Sequence, residues 1–222
     1  MEKSVVERFE MLKFDLHVHT FFSKDSLIDP RLLPKVAESR GLAGFAITDH
    51  DTFGAHSMIQ EKNIMVVPGI EIRTSIGDVI ALFIEEPVVS KDLFEVFDKV
   101  KAQDGVLIAA HPFGFPRLHG SVIEKAYRLL DGIEVVNARN IFRRQNEKAM
   151  KLAKRLGKSE VGGSDAHTLR EVGRAYTLAD ASNIEELRSA IKRRKTQGGG
   201  GLSFPTVHLS STVARIVHTI RF

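Results

Sequence analysis

The sequence of 222 residues predicts an α/β fold, a largely parallel sheet or barrel, and three observations carry that expectation. Seven short apolar runs, most rich in β-branched or aliphatic residues, read as strands. Helical patterns with capping residues lie between most of them. Metal-ligating residue types stand at the ends of the apolar runs, where parallel α/β folds gather their chemistry.

The first strand, Phe14 to His19, carries Asp15-Leu16-His17-Val18-His19-Thr20. Side chains alternate along a strand, so His17 and His19 share a face and form half of a metal site, with Asp15 deeper on that face. Asp15 is therefore expected to orient an imidazole from behind the ligands. Asp29-Pro30 reads as a cap with proline at the first helical position, and Gly41 closes that helix. The second strand, Ala43 to Thr48, leads into Asp49-His50-Asp51. The third, Ile64 to Glu71, and the fourth, Val79 to Ile84, are separated by a short polar turn at Thr74 to Gly77, so a hairpin interrupts the βα rhythm.

Ser90 is expected to cap a helix over Lys91 to Ala102, and the fifth strand, Val106 to Ala110, delivers His111. Gly132 to Val136 is the sixth strand, and Ile141 to Leu156 is a helix ended by Gly157. Glu160 to Gly163 is the seventh strand, opening into Ser164-Asp165-Ala166-His167, where Asp165 and His167 again share a face. Asn183 caps a helix over Ile184 to Arg194. Beyond Lys195, Gly198 to Gly201 reads as a flexible hinge or tight loop, since neither a preceding strand nor a following Gly-Lys-Ser/Thr makes it a phosphate loop. Leu209, Val213, Ile216, Val217 and Ile220 then form one apolar face of a closing helix. The expected organisation is a barrel over residues 1–195, completed within the same domain by the glycine-rich hinge and helix of 196–222.

Composition narrows the chemistry. No cysteine is present, so thiolate zinc sites, disulfides and a cysteine nucleophile are excluded, and any metal is held by nitrogen and oxygen. No run approaches the roughly 20 apolar residues of a membrane span, and the N-terminus lacks a signal-peptide core; a soluble, cytoplasmic protein is expected. The net charge of +4 is compatible with phosphate-bearing ligands, although surface Lys and Arg serve solubility first. With Glu71, His50 and His111 added to the two paired motifs, the strand ends offer more ligands than one ion requires. Two or three divalent ions, with Glu71 as a shared carboxylate, would activate a water as hydroxide and clamp a transferring phosphoryl group. Imidazole with carboxylate suits Zn, Mn or Fe alike.

These residues resemble the motifs of the PHP (polymerase and histidinol phosphatase) family: Asp15-Leu16-His17-Val18-His19-Thr20, Thr48-Asp49-His50-Asp51, Ala110-His111-Pro112 and Gly163-Ser164-Asp165-Ala166-His167, with Pro68-Gly69-Ile70-Glu71 similar to its bridging-glutamate element. The resemblance implies a distorted seven-stranded (β/α) barrel with a trinuclear centre. It implies that His17, His19, Glu71 and Asp165 hold one ion, Glu71 and His111 a second, and Asp25, His50 and His167 a third. Many members carry a further ligating His after the bridging Glu; Asp78-Val79-Ile80-Ala81-Leu82 has none, which leaves Asp78 or His119 as substitutes.

Arg139, Arg117 and His119 lie near the metal motifs as candidate substrate contacts, the guanidinium groups because their fork matches phosphate. The expected function is a metal-dependent phosphoesterase that attacks phosphorus with hydroxide held near His17, His19, Glu71 and Asp165. Its partner would be a phosphorylated small molecule or nucleotide, with nucleic acid left open. The alternatives are a metal-dependent amidohydrolase, for which the chain is short of the roughly 250 residues of an eight-stranded barrel, and a non-catalytic metal- or nucleic-acid-binding module. An aspartyl phosphatase is disfavoured because Asp49-His50-Asp51-Thr52 places its threonine one position early.

Overall fold

The computed structural model describes residues 10–60, 63–75, 77–114 and 126–221. All seven expected strands are present: β1 (Leu12–Val18), β2 (Gly44–Ile47), β3 (Met65–Thr74), β4 (Gly77–Leu82), β5 (Val106–Ala109), β6 (Gly132–Asn137) and β7 (Ser159–Gly163). Two more follow, β8 (Ala175–Ala179) and β9 (Thr196–Gly200), giving a nine-stranded sheet among the described residues, ordered β7-β6-β5-β4-β3-β2-β1-β8-β9. The β1–β2–β3 and β5–β6–β7 runs are parallel, while β4 pairs antiparallel with both β3 and β5. The expected hairpin is thus the seam between two parallel halves.

The sheet curls until its edges meet. Thr196 Oγ1 on β9 lies 2.8 Å from Ser159 Oγ on β7 and donates to Glu160 O at 2.7 Å. Nearer the ligands, His19 N donates to Ala166 O at 2.9 Å and Ala166 N to His17 O at 3.3 Å, joining β1 to the segment after β7. The result is a nearly closed, distorted barrel.

Gly198 to Gly200, expected with Gly201 as a flexible hinge or tight loop, instead end strand β9, paired antiparallel with β8 from Ala175↔Gly200 to Ala179↔Thr196. Bulk is excluded there. A Cβ at Gly200 would sit 2.3 Å from Arg174 O, and its φ of +100° disfavours any L side chain.

Helices fill the outside. A 3-10 turn (Pro30–Leu32), capped by Asp29 accepting from Arg31 N, runs into α1 (Leu33–Ser39), which Gly41 follows at φ +66°. In α2 (Leu93–Ala102) the cap is Asp92 and not Ser90: Asp92 accepts from Phe94 N and Glu95 N, while Ser90 Oγ is engaged by Glu95. A third helix, α3 (Arg143–Leu156), ends on left-handed Gly157, and α4 (Ile184–Lys192) is capped by Asn183 as expected. The last, α5 (Val207–Arg221), presents its apolar residues Leu209, Val213, Ile216 and Ile220 to the outside, while Ala214 is buried. No helix among the described residues is long and apolar enough to cross a membrane.

One apolar cluster gathers Phe14, Leu16, Ala46, Val67, Ile80, Ile108 and Val161 from across the sheet, with Leu187 and Ile191 of α4 packed against them. A second packs β3–β6 against α2 and α3, and a third packs β1 and β2 against α1. Each fully buried aliphatic side chain contributes about 1.5–3 kcal/mol. That rigid wall fixes the strand ends on which the polar residues stand.

Candidate metal centre

Local backbone geometry assembles the site. His17 and His19 project from the end of β1 and are fully buried. Gly163 makes room for them, since a Cβ there would lie 2.3 Å from His17 Cβ and 3.0 Å from Glu134 Oε1. Glu71 N donates to Asp49 O and Asp51 N to Glu71 O, which sets His50 beside Glu71 across a parallel bridge. Asp51, His111 and Asp165 all have positive φ, at 52°, 27° and 54°. Non-glycine residues in that region mark sharp re-aiming of a chain, and two of these three are candidate ligands.

Glu71 is the hub. Its Oε2 lies 3.4 Å from His17 Nε2, 3.2 Å from His19 Nε2 and 3.1 Å from His50 Nδ1, and its Oε1 lies 3.0 Å from His111 Nε2. Asp165 Oδ1 closes the first cluster, 3.6 Å from His17 Nε2 and 3.3 Å from His19 Nε2, which are themselves 3.0 Å apart. Ligands at about 2.1 Å from a tetrahedral ion lie about 3.4 Å from one another, so these separations fit an ion among them. A second cluster comprises Glu71, His111 and Asp78, whose ligand atoms come within 4.8 Å of one another. Asp78, one of the two substitutes the sequence offers for the missing histidine, is therefore close to Glu71 and His111. In a third, Asp25 Oδ1 lies 3.4 Å from His167 Nε2 and Asp25 Oδ2 3.7 Å from His50 Nε2, and His19, His50 and His167 share a cluster. Asp25 Oδ1 is buried without a formed hydrogen bond, an acceptor that fits a cation.

The imidazoles are oriented from behind. His17 Nδ1 meets Glu134 Oε1 at 2.9 Å and His167 Nδ1 meets Asp165 O at 2.8 Å; both partners only accept, so each Nδ1 carries the hydrogen and Nε2 faces the cluster. Ser23 Oγ donates to Asp49 Oδ1 at 2.6 Å, so it accepts from His19 Nδ1 at 3.2 Å and from His50 N at 3.0 Å. Glu134 Oε2 also accepts from His111 N at 2.7 Å and Asn137 Nδ2 at 3.0 Å, and Asn137 Nδ2 reaches Asp165 Oδ2 at 3.3 Å. Sequence reasoning passed over Glu134, although a carboxylate inside the apolar run Gly132-Ile133-Glu134-Val135-Val136 was the available signal. Asp15, expected to orient an imidazole, instead accepts from Ser164 N at 2.8 Å, Ser164 Oγ at 2.5 Å and Gly173 N at 2.7 Å. It clamps the loop after β7, and burial raises its carboxyl to about 6.

The charges are strongly coupled. Burial disfavours an imidazolium at His17, yet Asp165, Glu134 and Glu71 outweigh it and hold His17 well above its usual range. The same contest lifts His19 to about 9 through Asp165 and Glu71, and His111 to about 9 through Glu71. Glu71 and Asp165 are held well below the carboxylate range, their burial outweighed by the surrounding histidines. His167 is pushed the other way, to about 4, by burial and by neighbouring His19. The clustered carboxylates draw positive charge into the pocket, as protons on the imidazoles or as cations among them.

Of the candidate substrate contacts, Arg117 and His119 lie outside the described residues. Arg139 is buried and turned to α5 and Glu171: its Nη2 donates to Val207 O at 3.1 Å and Ser211 Oγ at 2.7 Å, and Nη1 lies 3.2 Å from Glu171 Oε1. A cation absent from the sequence-based set stands at the rim, where Arg215 of α5 donates from Nη2 to Asp25 Oδ2 at 3.0 Å.

The PHP-associated family model matches residues 143–196. The chain is 34% identical over 182 residues to uncharacterized protein MJ0417 of Methanocaldococcus jannaschii, covering 79% of this chain and 73% of that protein. Among solved structures it is similar to a two-domain protein from Bacteroides vulgatus containing a predicted PHP-like metal-dependent phosphoesterase, with TM-score 0.68 and 20% identity over 92% of this chain and 70% of that one. It is also similar to the lesion-specific endonuclease EndoQ of Pyrococcus furiosus, with TM-score 0.62 and 15% identity over 88% of this chain and 60% of that one. Fold, strand-end motifs and the PHP-associated match agree: the chain belongs to the PHP family.

Proposed function

We propose that this protein is a metal-dependent phosphoesterase working at a di- or trinuclear site. The observation that carries the reading is Glu71, one buried carboxylate whose two oxygens meet His17, His19 and His50 on one side and His111 on the other. Such a carboxylate suits adjacent ions. His17, His19, Glu71 and Asp165 would hold the first, Glu71 and His111 with Asp78 the second, and Asp25, His50 and His167 the third, with Zn, Mn or Fe all suited to nitrogen and oxygen donors. Divalent ions held there would supply the acidification of water and would offset the charge that builds on phosphoryl oxygens.

The chain's own residues do the rest. Glu134, Ser23 and the Asp165 carbonyl hold the imidazoles so that no reorganisation is needed when substrate arrives. Arg215 offers a guanidinium at the rim whose fork matches a phosphate, and Arg139, bonded to Val207 O and Ser211 Oγ, secures the helix that carries Arg215. Arg117 and His119 remain proposed substrate contacts. A phosphorylated small molecule or nucleotide is the proposed substrate; the DNA-bound relative Endonuclease Q supports a nucleic-acid ester as a further class.

The deciding experiment is hydrolysis of paired chromogenic phosphate mono- and diesters by Mn- or Zn-reconstituted protein beside a His17→Ala/His19→Ala variant. The wild type turns over at least one ester, and the variant, folded by circular dichroism, loses at least 10³-fold of that rate, on the order expected for removing principal ligands. Equal turnover in a metal-checked variant would sink the mechanism.

A further inference from the structure

Beside His167 the surface opens into a cavity of about 770 Å³ between the loop after β7 and the start of α5. That volume lies in the range of about 300–1,000 Å³ typical of small-molecule pockets. Leu27, Leu169, Phe204 and Val207 line it, together with Arg170 and Arg174. Phe204 keeps 69% of its surface exposed, which burial in a core would not allow. The Arg174 guanidinium carbon lies 5.7 Å from the Phe204 ring centroid, so an aromatic face and a cation are presented together. Glu171, also on the wall, is engaged by His167 N, Thr168 and Arg139 and leaves the arginines to set the charge of the opening.

We infer that this cavity is the leaving-group subsite of the phosphoesterase, and that it selects phosphate esters whose departing group carries a planar aromatic ring, stacked on Phe204 beside Arg174. The inference rests on the proposed function, because it assigns the metal cluster to the phosphoryl group and the adjoining cavity to what is attached to it. A flat π-system gains from the ring of Phe204 and from the Arg174 guanidinium beside it, which stacks on aromatic faces. In the reaction the water oxygen bonds to phosphorus, the P–O bond to the ring-bearing group breaks, and a proton from the water ends on the departing oxygen.

The test pairs 2-(1-naphthyl)ethyl phosphate with propyl phosphate, both esters of primary alcohols, on Mn-loaded full-length protein and its Phe204→Ala variant. Naphthyl fluorescence reports binding separately from turnover. The expected result is a KM about tenfold lower for the naphthyl ester, a ratio between the two esters that falls to about one in Phe204→Ala; one tenfold step is the worth of one good apolar contact. Turnover of both esters with equal KM in both proteins overturns the subsite. Binding of the naphthyl ester that is lost in Phe204→Ala, without turnover of either ester, supports the cavity and removes the phosphoesterase reading instead.

Discussion

At Glu134 a single carboxylate sets the aim of two candidate ligands, since Oε1 takes the His17 ring hydrogen and Oε2 the His111 backbone N–H. An imidazole whose rear nitrogen is fixed offers its other nitrogen at a defined angle, and loss of such a partner weakens metal binding by about 10–100-fold. Glu134→Gln is therefore expected to keep the fold while Mn or Zn affinity falls within that range, read by calorimetric titration; unchanged affinity would remove the orienting role. The ligands themselves were legible because strand alternation is local: His17 and His19, or Asp165 and His167, are two apart and share a face. Their supports were not, because Glu134 is 117 positions from His17 and meets it only when β6 and β1 are brought together by the barrel. Asp15 was misassigned for a related reason, because period-two alternation gives the face of a side chain and not which neighbour fills the space behind it.

Among the elements, β9 departs furthest from expectation. Glycine weakens an isolated strand, so Gly198 to Gly201 reads as a loop until its neighbours are known. The neighbours supply the reason: Gly198, Gly199 and Gly200 lie against Val135, Tyr176 and Arg174, where side chains would collide. Strand β8 was missed because five residues with alternate half-exposed positions give a weak periodic signal, and its pairing with β1 is long-range. At Gly200 both the positive φ and the approach to Arg174 O forbid a Cβ. Gly200→Ala is expected to destabilise the protein by about 1–3 kcal/mol, the cost of a residue held in a sparsely populated backbone region, seen as a lower urea midpoint. An unchanged midpoint would mean that β9 does not bind the closing edge of the sheet. Helix α5 shows the opposite mismatch, its apolar periodicity correct and its direction reversed. The face toward the barrel is held by polar contacts, Arg139 to Ser211, Arg215 to Asp25 and His218 to Ser26 O, which a hydrophobic pattern does not reveal.

Over the whole molecule, the barrel gathers carboxylates and imidazoles from its strands and from the loops after β1, β2, β5 and β7 into one buried pocket, and their mutual charge ties metal binding to stability. Without an ion, protons on His19 and His111 neutralise Glu71 and Asp165, and both imidazoles are held at about 9. Their folded values stand above the ordinary value of 6.5, so the stability they contribute is fully present below about pH 6.5 and is lost as pH rises through about 9. A bound divalent ion takes the place of those protons, and its ligands are then neutral imidazoles that gain from higher pH. Two opposed pH profiles are expected in chemical denaturation between pH 6.5 and 9.5. Chelator-treated protein loses on the order of a few kcal/mol, whereas Mn-loaded protein holds level or gains. Calorimetric titration of the metal near pH 7.5 in buffers of different ionisation enthalpy should register proton release. Parallel profiles with no released protons would mean that the histidines around Glu71 are already neutral before an ion arrives, and that the pocket is organised by hydrogen bonds rather than by charge awaiting a cation.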